Sequence, residues 1–148
     1  MNMRPVILQA ILDEALPPKQ YDALMDEVQT EQEPKNRLRL AAKIARALYD
    51  AEKAQMAAFR GGASLLTPEF KKIEQAMEQR RYLRQEETIQ TIAKDQSLSS
   101  NISLSKARDI LWALTGRDMY RMLVIERSWK SEEYENWLGD LLINLLII

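Results

Sequence analysis

The stretch from Ser103 to Ile148, SLSKARDILWALTGRDMYRMLVIERSWKSEEYENWLGDLLINLLII, sets the tightest limits on how this chain folds. Leu104, Ala107, Leu111 and Leu114 recur at spacings of three and four. Side chains so spaced share one face of a helix, so the segment predicts an amphipathic arm. Thr115-Gly116 interrupts it, and Arg117–Arg127 resumes the pattern with Met119, Met122, Leu123 and Val124. Ser131 is placed to cap a last helix, with Glu132 and Glu133 facing the positive end of its dipole. That helix begins polar and ends almost wholly apolar, through Trp137, Leu138, Leu141, Leu142, Ile143, Leu145, Leu146, Ile147 and Ile148. A helix apolar on several faces needs cover on more than one side, which predicts a partner subunit.

The same period runs upstream. Pro5–Leu16 reads as a first helix, with Val6, Ile7, Ala10, Ile11 and Leu12 on its apolar side, closed by Pro17-Pro18. A second helix carries Tyr21, Leu24, Met25 and Val28, and the polar run Thr30–Asn36 links it to the next. A long helix then starts at Pro34 or Lys35 and ends near Arg60, with Leu38, Ala41, Ile44, Ala45, Leu48, Tyr49, Met56 and Phe59 in register. Its alanines favour helix and let neighbours approach closely, and Gly61-Gly62 stops it. Thr67-Pro68-Glu69 opens another, an oxygen cap followed by proline at the first position, running to about Lys94. Ser-rich Asp95–Ser103 forms the loop before the opening stretch. No alternating strand pattern and no internal repeat occurs. At 148 residues the chain is long enough for one substantial core and short for two. The expected architecture is one all-α domain over residues 1–148, an antiparallel bundle of about six to seven helices.

Composition removes several chemistries. The chain has no cysteine and no histidine. Disulfides, thiolate nucleophiles, zinc sites of the usual ligands and histidine-based triads are therefore excluded. No pair of the remaining titratable side chains stands out for acid–base work, so no enzyme activity, metal or cofactor is expected. Twenty-one basic against twenty-two acidic residues give a net charge of −1, with no basic footprint for nucleic acid. The longest apolar run, Leu141–Ile148, is far short of the ~20 residues of a membrane span. The N-terminal residues lack a leader-peptide pattern, and a cytoplasmic location is expected.

Four carboxylates, Glu74, Glu78, Glu86 and Glu87, read as a solvated face, because a di-iron site would need histidine. Arg80, Arg81, Arg84 and Thr88 interrupt the apolar stripe of Phe70, Ile73 and Met77 before Ile92 resumes it. Either the arginines pair with Glu78 and Glu87 in solvent, or the interruption lines a cavity and offers guanidinium groups to an anionic ligand, with Arg81 the candidate. Tyr49, Met56, Phe59, Phe70, Met77 and Trp112 lie on helices whose faces converge. They form either a plain core or the wall of an adaptable apolar pocket. Trp129 is expected to pack the last helix against its predecessor.

Four segments carry a family resemblance: Ala107-Arg108-Asp109-Ile110-Leu111-Trp112-Ala113-Leu114, Met119-Tyr120-Arg121-Met122-Leu123, the Arg127-Ser128-Trp129 turn, and Tyr134-Glu135-Asn136-Trp137-Leu138. Together they resemble the C-terminal end of the ligand-sensing domain of TetR-type transcriptional repressors, in matching order and spacing over roughly forty residues. Where that family often has Ser-Pro-Glu, this chain has Gly116-Arg117-Asp118. The resemblance implies a homodimer joined through the last two long arms, using Leu104, Ala107, Leu111, Leu114, Tyr134, Leu138, Leu141, Leu142 and Leu145. It implies an effector pocket among the middle helices, drawn from Tyr49, Met56, Phe59, Phe70, Met77, Arg81 and Trp112. It also leads to the expectation that the family's N-terminal helix-turn-helix is absent, as a truncation or an isolated sensing domain. Such a chain would not read DNA by itself. The expected function is effector binding in a regulatory protein; the alternative is an adaptor bundle with a solid core and no ligand.

Overall fold

Proline marks where the helices begin. The computed structural model describes residues 18–58 and 68–148. Helix α1 spans Pro18–Thr30, α2 Pro34–Ala58, α3 Pro68–Lys94, α4 Leu104–Leu114, α5 Arg117–Tyr120 and α6 Ser131–Leu146; a π-helical turn, Arg121–Glu126, follows α5. Pro34 and Pro68 each open a helix, where the missing N–H costs nothing and φ is already set. Glu33 supports the start of α2, its carboxylate accepting the Asn36 N–H at 2.8 Å. Ser103 caps α4, its hydroxyl accepting the Lys106 N–H at 3.2 Å. The expected helix over Pro5–Leu16, the Gly61-Gly62 stop and Thr67 lie outside the described residues.

Two local expectations are corrected. The helix expected over Arg117–Arg127 changes pitch after Tyr120. The Arg127 N–H reaches the Met122 carbonyl at 3.1 Å, five residues back, as in a π turn. The wider turn keeps both Tyr120 and Val124 buried and leaves Met122 and Ile125 exposed. Ser131 is the first helical residue of α6 rather than its cap. Lys130 holds the extended cap backbone, at φ −68° and ψ 143°, and no side chain bonds the first turn.

The most extensive packing is between α2 and α6. Leu38, Ala42, Ala45 and Tyr49 of α2 share the core with Tyr134, Leu138, Leu142 and Leu146 of α6. Gly139 of α6 faces α2, where a Cβ would stand 3.9 Å from the Ala42 Cβ, an ordinary contact, and 3.2 Å from Arg39 Nη1, the far end of a flexible side chain. Ile89 and Ile92 of α3 and Ala107 and Leu111 of α4 complete the core. Each fully buried leucine or isoleucine contributes about 1.5–3 kcal/mol.

That core redraws the expected dimer seam. Ala107, Leu111, Tyr134, Leu138 and Leu142 are buried inside the protomer and are not available to a partner. The stripe of α6 that turns inward is Tyr134, Leu138, Leu142 and Leu146; the neighbouring stripe of Trp137, Leu141, Leu145 and Ile148 is incompletely covered. Sequence periodicity shows both stripes and not which one the protomer itself consumes. Leu104 and Leu145 are exposed, and Leu114 and Leu141 are half-buried. Trp129 meets Trp137 edge to face at 5.7 Å, packing the end of the π turn onto α6.

Helix α3 ends in a Schellman motif without glycine. Gln96 takes the left-handed conformation at φ 59°. Its N–H bonds the Ala93 carbonyl at 3.0 Å and the Ser97 N–H bonds Ile92 at 3.2 Å. Immediately after, Leu98 and Ile147 form an antiparallel bridge. Ser99 N–H donates to the Leu146 carbonyl and Ile148 N–H to the Ser97 carbonyl, both at 2.9 Å. The loop after α3 is thereby sewn to the end of α6. Among the described residues no helix is long and apolar enough to cross a membrane.

Candidate effector site

A helix leaves its last carbonyls without intrahelical partners. At the end of α4 those groups are met by side chains of α2 and α3. Arg81 Nη1 donates to the Trp112 carbonyl at 2.7 Å and to Thr115 Oγ1 at 2.5 Å. The Tyr49 hydroxyl donates to the Thr115 carbonyl at 2.7 Å. The Thr115 hydroxyl turns back and donates to the Leu111 carbonyl at 2.6 Å. A guanidinium placed here also opposes the negative end of the α4 dipole.

Arg81 is 8% exposed, so its charge needs a partner. Glu78 supplies it, accepting from Arg81 Nε at 3.1 Å and from Nη2. The other Glu78 oxygen accepts from Arg117 Nη1 at 2.6 Å. Arg117 in turn grips Glu52 with both Nε and Nη2, at 2.9 and 2.6 Å. The run Glu52–Arg117–Glu78–Arg81 alternates in sign, sums to zero and ties α2, α3 and α5 together. Burial works against the Arg117 charge, but the bidentate Glu52 bond and the Glu52 and Glu78 charges outweigh it, holding its pKa above the ordinary value. Burial pushes the Tyr49 phenol up to about 12, against the opposing charges of Arg81 and Arg117. Burial likewise raises Tyr120, bonded to Asp50, and Tyr134.

Two expectations about the charged residues change accordingly. Glu78 is not on a solvated face but inside the network. Arg81 does pair with Glu78, within the protein rather than in solvent. Arg80 is exposed. Arg84 is exposed too, with its guanidinium 5.8 Å from the Tyr21 ring centroid and bonded to the Tyr21 hydroxyl at 2.5 Å.

Two cavities border this network. The first, about 70 Å³, lies between α1, α2 and α3, with Met25, Val28, Ile44 and Leu48 among its apolar walls and Arg37, Gln85 and Thr88 among its polar ones. The second, about 60 Å³, is lined by Leu48, Glu52, Met77 and Arg117 among others. Tyr49 and Arg81 border both. The structure thus brings together Tyr49, Met77 and Arg81 of the expected pocket residues. It places Trp112 elsewhere: at 36% exposed, that side chain walls an outer groove with Tyr82 and Asp109. Its indole N–H donates to the Glu78 carbonyl at 3.3 Å, and the Arg81 guanidinium lies 5.4 Å from its ring. Phe59 and the side chains of Met56 and Phe70 lie outside the described residues.

Thr88, part of the polar interruption read from the sequence, does line the first cavity, whereas Arg37, Gln85 and Thr115 escape sequence reasoning as site residues. A signal for Arg37 exists: it stands four, seven and eleven residues before Ala41, Ile44 and Leu48, a cation at the head of an apolar stripe. Gln85 and Thr88 follow Arg81 by four and seven, on the same helix face.

The described residues thus define an all-helical bundle with a buried ion network beside small cavities. Comparison with family models, with curated proteins and with solved structures finds no match.

Proposed function

We propose that this chain is an effector-binding and dimerisation domain of TetR type. The observation that carries the effector half is the cavity between α1, α2 and α3. It combines apolar walls with buried polar groups, the combination that small-molecule sites use. The C-terminal resemblance supports the regulatory half. In this reading an effector acts by favouring one arrangement of α3 against its neighbours, to the extent that it binds that arrangement more tightly. Dimerisation falls to those residues of the expected seam that the protomer leaves exposed or half-buried, Leu104, Leu114, Leu141 and Leu145, with the exposed Ile148 beside them.

The small cavity volume favours a second reading, an adaptor bundle without a ligand; about five waters would fill such a space. Two measurements separate the readings. Thermal shift across a panel of lipophilic and anionic compounds is expected to show stabilisation by some of them. Sedimentation at micromolar concentration is expected to show a dimer. No shift across the panel would defeat the effector reading, and a monomer would defeat the dimerisation reading.

A further inference from the structure

The polar groups of the cavity between α1, α2 and α3 are unequally satisfied, and the imbalance has a chemical sense. Arg37 is 4% exposed. Its Nε donates to Thr88 Oγ1 at 3.3 Å and its Nη1 to the Glu31 carbonyl at 3.1 Å. Both acceptors are neutral. Among the described residues no carboxylate lies within ion-pair distance of it, and its Nη2, which is not a sealed atom, has no protein partner. Burial lowers its pKa, with Glu87 and Glu31 only partly compensating. Buried cations without a counter-charge are costly and are normally paired.

One helical turn away, Gln85 has the complementary defect. Its Nε2 donates to Thr115 Oγ1 at 2.8 Å. The amide cannot be reversed, because the Thr115 proton is already committed to the Leu111 carbonyl. Gln85 Oε1 is therefore left as a buried acceptor with no donor. Among the described residues, the remaining charged groups of the lining are Arg84, with no carboxylate partner, and Arg81, neutralised by Glu78, and no Asp or Glu lines the space.

We propose that this cavity binds a small carboxylate with an apolar body and one neutral hydrogen-bond donor, such as a short hydroxy acid. Arg37 takes the carboxylate and the aliphatic body lies against Met25, Val28 and Ile44; Gln85 Oε1, which is sealed from a water-sized probe as the cavity stands, accepts from the hydroxyl once the Gln85 side chain turns toward the ligand. The cationic lining disfavours an ammonium as the donor. The spacing suits a short molecule, since Gln85 and Thr88 stand about 5 Å apart along α3. The inference rests on the effector-binding reading and names the class of effector.

Calorimetric titration of the full chain with β-hydroxybutyrate, butyrate, butyramide and pentanol tests it. β-Hydroxybutyrate is expected to bind best. Butyrate should bind about tenfold more weakly, having no donor for Gln85. Butyramide should lose about a hundredfold, having no charge for Arg37. Gln85→Met should level β-hydroxybutyrate with butyrate, and Arg37→Met should level butyrate with butyramide, each variant being checked for folding by circular dichroism. The ligand series on the unaltered chain decides the matter if either variant fails to fold. Butyramide binding as well as butyrate, or Arg37→Met leaving the ranking intact, overturns the anion assignment. Pentanol binding with no acid binding overturns it while leaving the effector reading in place. No binding by any of the four, together with no hit in the wider thermal-shift panel, defeats both.

Discussion

Replacing Arg81 with methionine tests the account of the α4 terminus. The change keeps most of the side-chain volume and removes every donor. The Trp112 carbonyl and the Thr115 hydroxyl oxygen each lose a bond made at 2.7 and 2.5 Å. Glu78 loses one of its two arginines and keeps Arg117 at 2.6 Å. Breaking a buried ion pair by removing one partner costs about 3–5 kcal/mol. The lower end applies here, because the Glu78 side chain is 21% exposed and remains paired. The expected loss is about 3 kcal/mol, or a fall in Tm of about 6–12 °C for a domain of this size. Urea unfolding followed by tryptophan fluorescence reads it. Arg84→Met is the control: that residue is exposed, has no carboxylate partner among the described residues and loses only its surface contact with Tyr21, so the change should cost under about 1 kcal/mol. A double-mutant cycle with Glu78→Gln should return a coupling of about 1–2 kcal/mol. If Arg81→Met costs under about 1 kcal/mol, water replaces the guanidinium at little penalty and the capping argument is wrong.

Four other changes follow from the same structure. Gln96→Gly relieves a left-handed residue, at some cost in unfolded-chain entropy, and should gain about 0.5 kcal/mol in a urea melt. Gly139→Ala should gain about 0.5–1 kcal/mol, because helix propensity favours alanine and only the flexible end of Arg39 must give way; a loss would show α2 and α6 to be closer than described. Tyr49 has its phenol raised from 10.0 to about 12, so between those pH values the unfolded chain ionises there and the folded one does not. Its contribution is intact below pH 10 and declines by about 1.4 kcal/mol per pH unit toward about 12, to be read by alkaline unfolding against tyrosinate absorbance; Tyr49→Phe should lessen the slope by that one group and not abolish it, because Tyr120 and Tyr134 are raised as well. Leu145→Arg should give a folded monomer by sedimentation, whereas Leu138→Arg should unfold the chain, because Leu138 is fully buried in the protomer.

Helix starts were legible where the signal is local. Pro34 and Pro68 fix φ and dispense with a donor at the same residue, so position and cause coincide. The left-handed stop at Gln96 was not legible, since glutamine carries no mark of that conformation. The π turn at Arg121–Glu126 was hidden for a related reason: Tyr120 and Val124 are four apart in either pitch. The site was legible as an interruption of the α3 stripe. Its meaning was not, because Arg81 takes its partners from Trp112 and Thr115, more than thirty residues away, and no spacing rule reaches that far. Arg37 was passed over because it heads a helix, where a cation reads as surface.

The bridge between Leu98 and Ile147 turns α3 into a lever with one end held. The helix has 27 residues, and the anchored end adjoins Lys94. Gln85 stands roughly 14 Å from that end and Pro68 roughly 39 Å, at 1.5 Å per residue. A pivot of about 3° at the anchor moves Gln85 by about 0.7 Å and Pro68 by about 2 Å. The proposed ligand, seated against Gln85, would work on the short arm, and the Pro68 end would feel the displacement magnified about threefold only where the Glu78 and Arg81 bonds that hold the middle of α3 yield with it.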